Sequence, residues 1–176
     1  METEDIQLVR AAQIGDFWAF EELVRRHGAR VYRIALRLLG NRSEAEDAAQ
    51  EAFVQAWQAL PVFRGESSVS TWLYRIVTNR CLNLLQARRR EEPLSERQEA
   101  PTPVPERVAE TVDALGALKT AILRLTPEQR APLVLREFEG RAYEEIAEIL
   151  EISVPAVKGR LHRARLELLD SMRQWR

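Results

Sequence analysis

Apolar residues recur at spacings of three and four along most of this chain. Almost no stretch alternates with the period of two that a half-buried strand requires. That periodicity restricts the chain to an all-α fold. From Phe20 the apolar face runs through Leu23, Val24, Val31, Ile34, Ala35 and Leu38, and Gly40-Asn41 ends the helix. Ser43 with Glu46 forms an S-x-x-E capping box for a second helix. Its stripe is Ala45, Ala48, Ala49, Ala52, Phe53, Ala56, Trp57 and Leu60, stopped by Pro61. Phe53, Ala56 and Trp57 are expected in the core. A polar loop, residues 63–68, separates this helix from a third, at about 70–90. Leu73, Ile76, Val77, Leu84 and Leu85 form the inner face of that helix.

Residues 91–110, EEPLSERQEAPTPVPERVAE, break the pattern with four prolines and many charges. They read as an extended, solvated, flexible linker. Helical periodicity resumes with Val112, Leu115, Leu118, Ala121, Ile122 and Leu125, and Thr126-Pro127-Glu128-Gln129 caps a further helix that ends near Gly140. Two short helices follow, at about 143–150 and 154–172. The expected organisation is a helical domain over 1–90, a linker over 91–112 and a second helical domain over 113–176.

Charge follows the same division. Residues 1–90 hold 13 basic and 11 acidic side chains, 91–113 hold 2 and 7, and 114–176 hold 11 and 9. Two slightly basic blocks therefore flank an acidic connector. The single Cys81 excludes an internal disulfide framework, as a reducing cytoplasm would favour. The N-terminus is acidic without an apolar run, so it is not a signal peptide. No stretch approaches the roughly 20 apolar residues of a membrane span, and no membrane contact is expected. Neither His27 nor His162 has a Cys or carboxylate at metal-ligand spacing, no Gly-rich phosphate loop occurs, and Glu144-Glu145 diverge on a helix. The expectation is no metal, no cofactor and no enzymatic activity.

The most specific segment is YEEIAEILEISVPAVKGRLHRARLELL, which reads as a helix-turn-helix. Ile146, Ala147, Leu150 and Ile152 are expected to supply the first helix and turn to the core. Ser153 can N-cap the second helix, with Pro155 in its first turn. Val157, Leu161, Ala164 and Leu168 form its inward stripe. The other face carries Lys158, Arg160, His162, Arg163 and Arg165, and no acid occurs from Val154 to Arg165. Such a face suits a helix lying in a DNA major groove, where Arg bonds guanine edges and phosphates.

With that segment, EAEDAAQEAFVQAW (44–57), FRGESSVSTWLYRIVTNRCLNLL (63–85) and LTPEQRAPLVLREFEGRAYEEIAEIL occur in the order found in extracytoplasmic-function (ECF) sigma factors of bacterial RNA polymerase. The chain resembles that family from about Asp16 to Trp175. The resemblance implies a promoter-specific initiation factor with core RNA polymerase and promoter DNA as partners. The polymerase would be met at the clamp helices of its largest subunit and the flap of its second-largest subunit. An anti-sigma factor is a further implied partner. Asp47, Gln50 and Glu51 stand where the family contacts core polymerase. Phe63, Arg64, Gly65, Glu66, Ser67, Ser68 and Val69 stand at the loop that captures a flipped base of the −10 element, and Asn79 at its neighbouring contact. Arg75 and Arg80 are assigned to strand phosphates. Pro155, Ala156, Lys158, Gly159, Arg160, His162 and Arg163 fall at the −35-contacting positions. Three residues depart from the pattern: Ala142 lacks a capping hydroxyl, Glu151 replaces a turn glycine, and Pro132 sits inside a helix. The alternative is a stand-alone helix-turn-helix regulator, which would bind duplex DNA unaided.

Overall fold

The computed structural model describes residues 2–91 and 114–173, so the expected linker lies outside the described residues. Every regular element among them is helical, as the periodicity requires. The first group is α1 (Glu2–Gln13), α2 (Phe17–Leu39), α3 (Arg42–Ala59) and α4 (Val69–Glu91), with a short 3-10 turn at Leu60–Val62. The second is α5 (Ala114–Arg124), α6 (Pro127–Leu133), α7 (Tyr143–Leu150) and α8 (Val154–Ser171).

Local chemistry sets most boundaries. Asp16 accepts from the Ala19 amide at 3.2 Å and starts α2. Gly40, at φ +74°, closes it in a left-handed cap. The Ser43–Glu46 box expected for α3 does not form. Asn41 takes the cap position instead and accepts from the Glu44 amide at 3.2 Å, leaving Ser43 inside the first turn. Only alanines of α3 are buried (Ala45, Ala48, Ala49, Ala52 and Ala56). Small side chains let it lie close against α2, whose Leu23, Val31, Ile34 and Leu38 fill the space. Leu73, Val77 and Cys81 of α4 complete this core. Burial pushes the Cys81 thiol up to about 12, so it packs as a small hydrophobe rather than a nucleophile.

Trp57 is not the core residue expected: it is 39% exposed and packs edge-to-face on Phe17 and Phe20 at the surface. Trp72 and Tyr74, at 5% and 0%, are both core. Helix α1 is absent from the sequence-based expectation. Its Val9 and Ala12 enter the core, and its buried Asp5 pairs with buried His27 of α2 at 2.9 Å.

In the second group, Ile122, Leu125, Leu133, Leu135, Ile146, Val157, Leu161 and Ala164 are buried. Ile149 is buried with them, while Ala147 and Leu150 are only half-buried. Pro132 lies near the end of α6, and the chain passes into a π-helical segment at Val134–Phe138. Without a hydroxyl at Ala142, the Glu145 carboxylate alone caps the start of α7, accepting from the Ala142 amide at 2.8 Å. Glu151 ends α7 at φ +54° and is the one non-glycine residue with positive φ among those described. A left-handed side chain costs about 1–2 kcal/mol. Glu151→Gly is therefore expected to raise stability by about 1 kcal/mol, or about 2–4 °C in a thermal melt. An unchanged melting temperature would refute that strain.

The two groups share one buried cluster. Helix α7 lies along α4, and the Arg141 guanidinium sits 4.6 Å from the Tyr74 ring centroid. Arg37 of α2 pairs with Glu139 at 3.2 Å and stacks on Phe138. Gly40 approaches Leu123 so closely that a Cβ there would lie 2.8 Å from its methyl carbons. Arg130 is buried and donates across the seam to the Leu38 carbonyl and within its own group to those of Leu123 and Leu125. Burial, then nearby Arg88, pushes its pKa down to about 10, which leaves a cation at neutral pH.

Candidate nucleic-acid interface

The helix-turn-helix is formed by α7 and α8. Ser153 Oγ accepts from the Ala156 amide at 3.3 Å and caps α8. Val157, Leu161 and Ala164 are buried, with Leu168 half-buried beside them. That rotation leaves Pro155, Lys158, His162 and Arg163 exposed, and Ala156, Gly159 and Arg160 half-buried. Lys158 Nζ lies 5.6 Å from the Tyr143 ring centroid, within cation–π range. Arg165 is not a free cation: it pairs with Glu137 at 2.6 Å, a hydrogen bond that raises its pKa. A Cβ on Gly159 would lie 3.7 Å from Arg163 Nη1, an ordinary contact. Packing within the chain therefore does not demand glycine at that position.

The second candidate surface surrounds the loop before α4. Phe63 stacks on Trp72 with ring centroids 4.5 Å apart. Phe63, Arg64, Glu66, Ser67, Trp72 and Arg75 line a depression of about 440 Å³. Gly65 turns the loop at φ +74°. Two assigned residues have other duties. Ser68 Oγ accepts from the Thr71 amide at 3.0 Å and caps α4, which begins at Val69, a residue before the start that periodicity predicts. Val69 is 1% exposed, so its side chain packs inside rather than facing a base. Asn79 is half-buried on α4. From the second group, Glu148 of α7 stands at the wall of the depression and adds a carboxylate to it.

A third surface lies on α3. Asp47, Gln50 and Glu51 are exposed together on one face. Exposed Val54 extends that face by one turn. Glu51 is ion-paired with Arg80 of α4, a link that no periodicity reveals. Arg88 pairs likewise with Glu44. Among the described residues no His/Cys/Asp/Glu cluster could hold a metal ion, and no described helix is long and apolar enough to cross a membrane.

These features define an all-helical protein in two parts, the second a helix-turn-helix with a cationic outer face. Residues 23–91 match Sigma-70 region 2 and residues 115–168 match Sigma-70, region 4. The chain is 38% identical to the RNA polymerase sigma-H factor of Pseudomonas aeruginosa, over 97% of this chain and 94% of that one. It is 38% identical to the ECF RNA polymerase sigma factor SigM of Mycobacterium tuberculosis, over 95% and 84% of the two chains. The structure of CnrH in complex with the cytosolic domain of CnrY superposes with a TM-score of 0.74 at 28% identity, covering 97% of this chain and 98% of that one. The chain belongs to the ECF sigma factors of RNA polymerase. It is a promoter-directing transcription initiation factor.

Proposed function

We propose that Asp47, Gln50 and Glu51 dock on the clamp helices of core RNA polymerase, that the loop at 63–67 and the adjoining face of α4 hold the opened −10 strand, and that α8 reads the −35 duplex. The observation that carries the DNA reading is the rotation of α8. Its apolar stripe is buried while Lys158, His162 and Arg163 stay exposed, so base edges and phosphates are within reach. Gly159 fits the same reading, because a bare backbone lets the helix approach DNA closely. The loop at 63–67 offers an aromatic stack and polar groups, which compensate the few kcal/mol of taking a base out of the duplex.

The −10 and −35 elements are about 25 base pairs apart by name, or about 85 Å at 3.4 Å per base pair. A compact body of this size has a radius of gyration of only about 15 Å. The packed arrangement therefore cannot occupy both elements at once. Residues 92–113 have a contour length of about 75 Å, enough for the two parts to separate and bind about that far apart. Binding of each part to polymerase then raises the effective concentration of the other. Occupancy of the −10 site also requires Glu148 and α7 to move off α4. The further partner is an anti-sigma factor working in the cytoplasm. The complex of CnrH with CnrY supports a protein regulator of this kind, and the protein itself performs no chemistry.

The test is binding to a pool of random duplex DNA, selected over several rounds, with and without core polymerase. Enrichment of a two-part promoter sequence with core polymerase, and weak binding alone, is expected. Tight, sequence-specific binding by the free protein would replace the sigma mechanism with that of a stand-alone regulator.

A further inference from the structure

Helix α1 lies outside both matched Sigma-70 regions, yet it is tied into the −10 loop from behind. Gln13, its last residue, donates from Nε2 to the Leu60 carbonyl and to the Phe63 carbonyl, both at 2.9 Å. A side-chain amide has two N–H protons, and both are used. The two carbonyls bracket the 3-10 turn that delivers the chain into the loop. Leu60 O also accepts from the Phe63 amide at 3.1 Å, so both of its lone pairs are taken. Further along the loop, Ile6 of α1 lies near Gly65: a Cβ added there would sit 3.7 Å from Ile6 Cδ1. The helix is itself anchored, through Val9 and Ala12 in the core and the buried Asp5–His27 pair.

We propose that Gln13 is a positioning residue for −10 strand recognition, a role that rests on the reading of loop 63–67 as the base-capturing site. Gln13 touches no DNA. Its two hydrogen bonds fix the Leu60 and Phe63 backbone, and so the height of the Phe63 ring on Trp72 and the mouth of the depression beside it. A loop held in its binding conformation avoids the ordering cost at the moment of capture. Without those bonds the pocket must be assembled by the strand itself.

The experiment uses holoenzyme reconstituted with wild type, Gln13→Ala or Gln13→Glu. It reads enrichment of a −10 strand from a pool of random single-stranded oligonucleotides, and amide hydrogen exchange over residues 60–67. Gln13→Glu keeps the size and shape but loses both donors and places a carboxylate against two carbonyls. Enrichment is expected to fall about tenfold in both variants, the order expected from losing two neutral hydrogen bonds. Exchange at 60–67 should rise, and co-elution with core polymerase should stay intact. Wild-type enrichment and exchange in Gln13→Glu would overturn the proposal and leave the loop reading standing. Glu66→Ala with Ser67→Ala supplies the other control. Enrichment unchanged by that pair would show that the loop does not read the strand, and would remove both the loop reading and the proposal built on it.

Discussion

Reversing the charges in an Asp47→Lys, Glu51→Lys variant is expected to weaken binding to core RNA polymerase about 100-fold and to abolish co-elution on gel filtration. Both residues are exposed on α3 one turn apart, with Gln50 between them and Val54 beyond. A small acidic face of this kind speeds encounter with a basic partner and sets register. Like charges placed across the same interface cost several kcal/mol. The fold should tolerate the change, because the one ion pair lost, Glu51 with Arg80, is a surface pair worth about 0–1 kcal/mol. The melting temperature should therefore stay within a few degrees of wild type. Co-elution of the variant as strongly as wild type, at low and moderate salt, would remove α3 from the polymerase interface. The variant also frees Arg80 from Glu51, the ion pair that joins the acidic face of α3 to α4.

Arg130→Ala carries the largest expected loss of stability, about 3 kcal/mol, seen as a melting temperature lower by about 6–12 °C. Arg130 donates to the carbonyls of Leu38, Leu123 and Leu125. Leu38 lies in the last turn of α2, Leu123 in the last turn of α5, and Leu125 just beyond that helix. One cation thus meets the negative ends of two helices that come from different halves of the chain. Alanine leaves three carbonyls with this partner removed, beside the buried Leu38 and Leu125 side chains. Removing the guanidinium also removes the cost of burying it, visible in the lowered pKa. The carbonyls outweigh that gain, because each buried polar group left unsatisfied costs about 1–3 kcal/mol. Arg130→Met separates the terms, since it restores apolar volume without donors and should melt close to the alanine variant. A melting temperature within 1 °C of wild type in both would show that water satisfies those carbonyls and that the seam does not depend on the cation.

The helix-turn-helix was legible because its signals are local. The apolar stripe, the Ser153 cap and the acid-free face all lie within one stretch of chain, and the structure places Val157, Leu161 and Ala164 inward as their spacing requires. The left-handed turn at Glu151 was expected only from the resemblance, whose pattern has a glycine there, since a Glu carries no local signal for positive φ. Helix α1 was missed although Ile6, Val9 and Gln13 recur at spacings of three and four, because its charged first turn reads as a solvated terminus. Trp57 was misplaced because the stripe of α3 is wider than the face that α2 can cover, and the residue at its edge stays at the surface against Phe17 and Phe20.

Periodicity and capping chemistry by themselves determined that the chain is helical, where most helices begin and end, and which face of α8 is cationic. These are outcomes of interactions between residues a few positions apart. Tertiary structure alone decided that Arg130 reaches Leu38, that Gln13 holds the turn before the loop at 63–67, and that α7 covers part of α4. Those contacts join residues roughly 50 to 90 positions apart in the chain. A polar side chain carries the same letter whether it is solvated or buried against distant carbonyls, and only the packing of whole helices selects between the two.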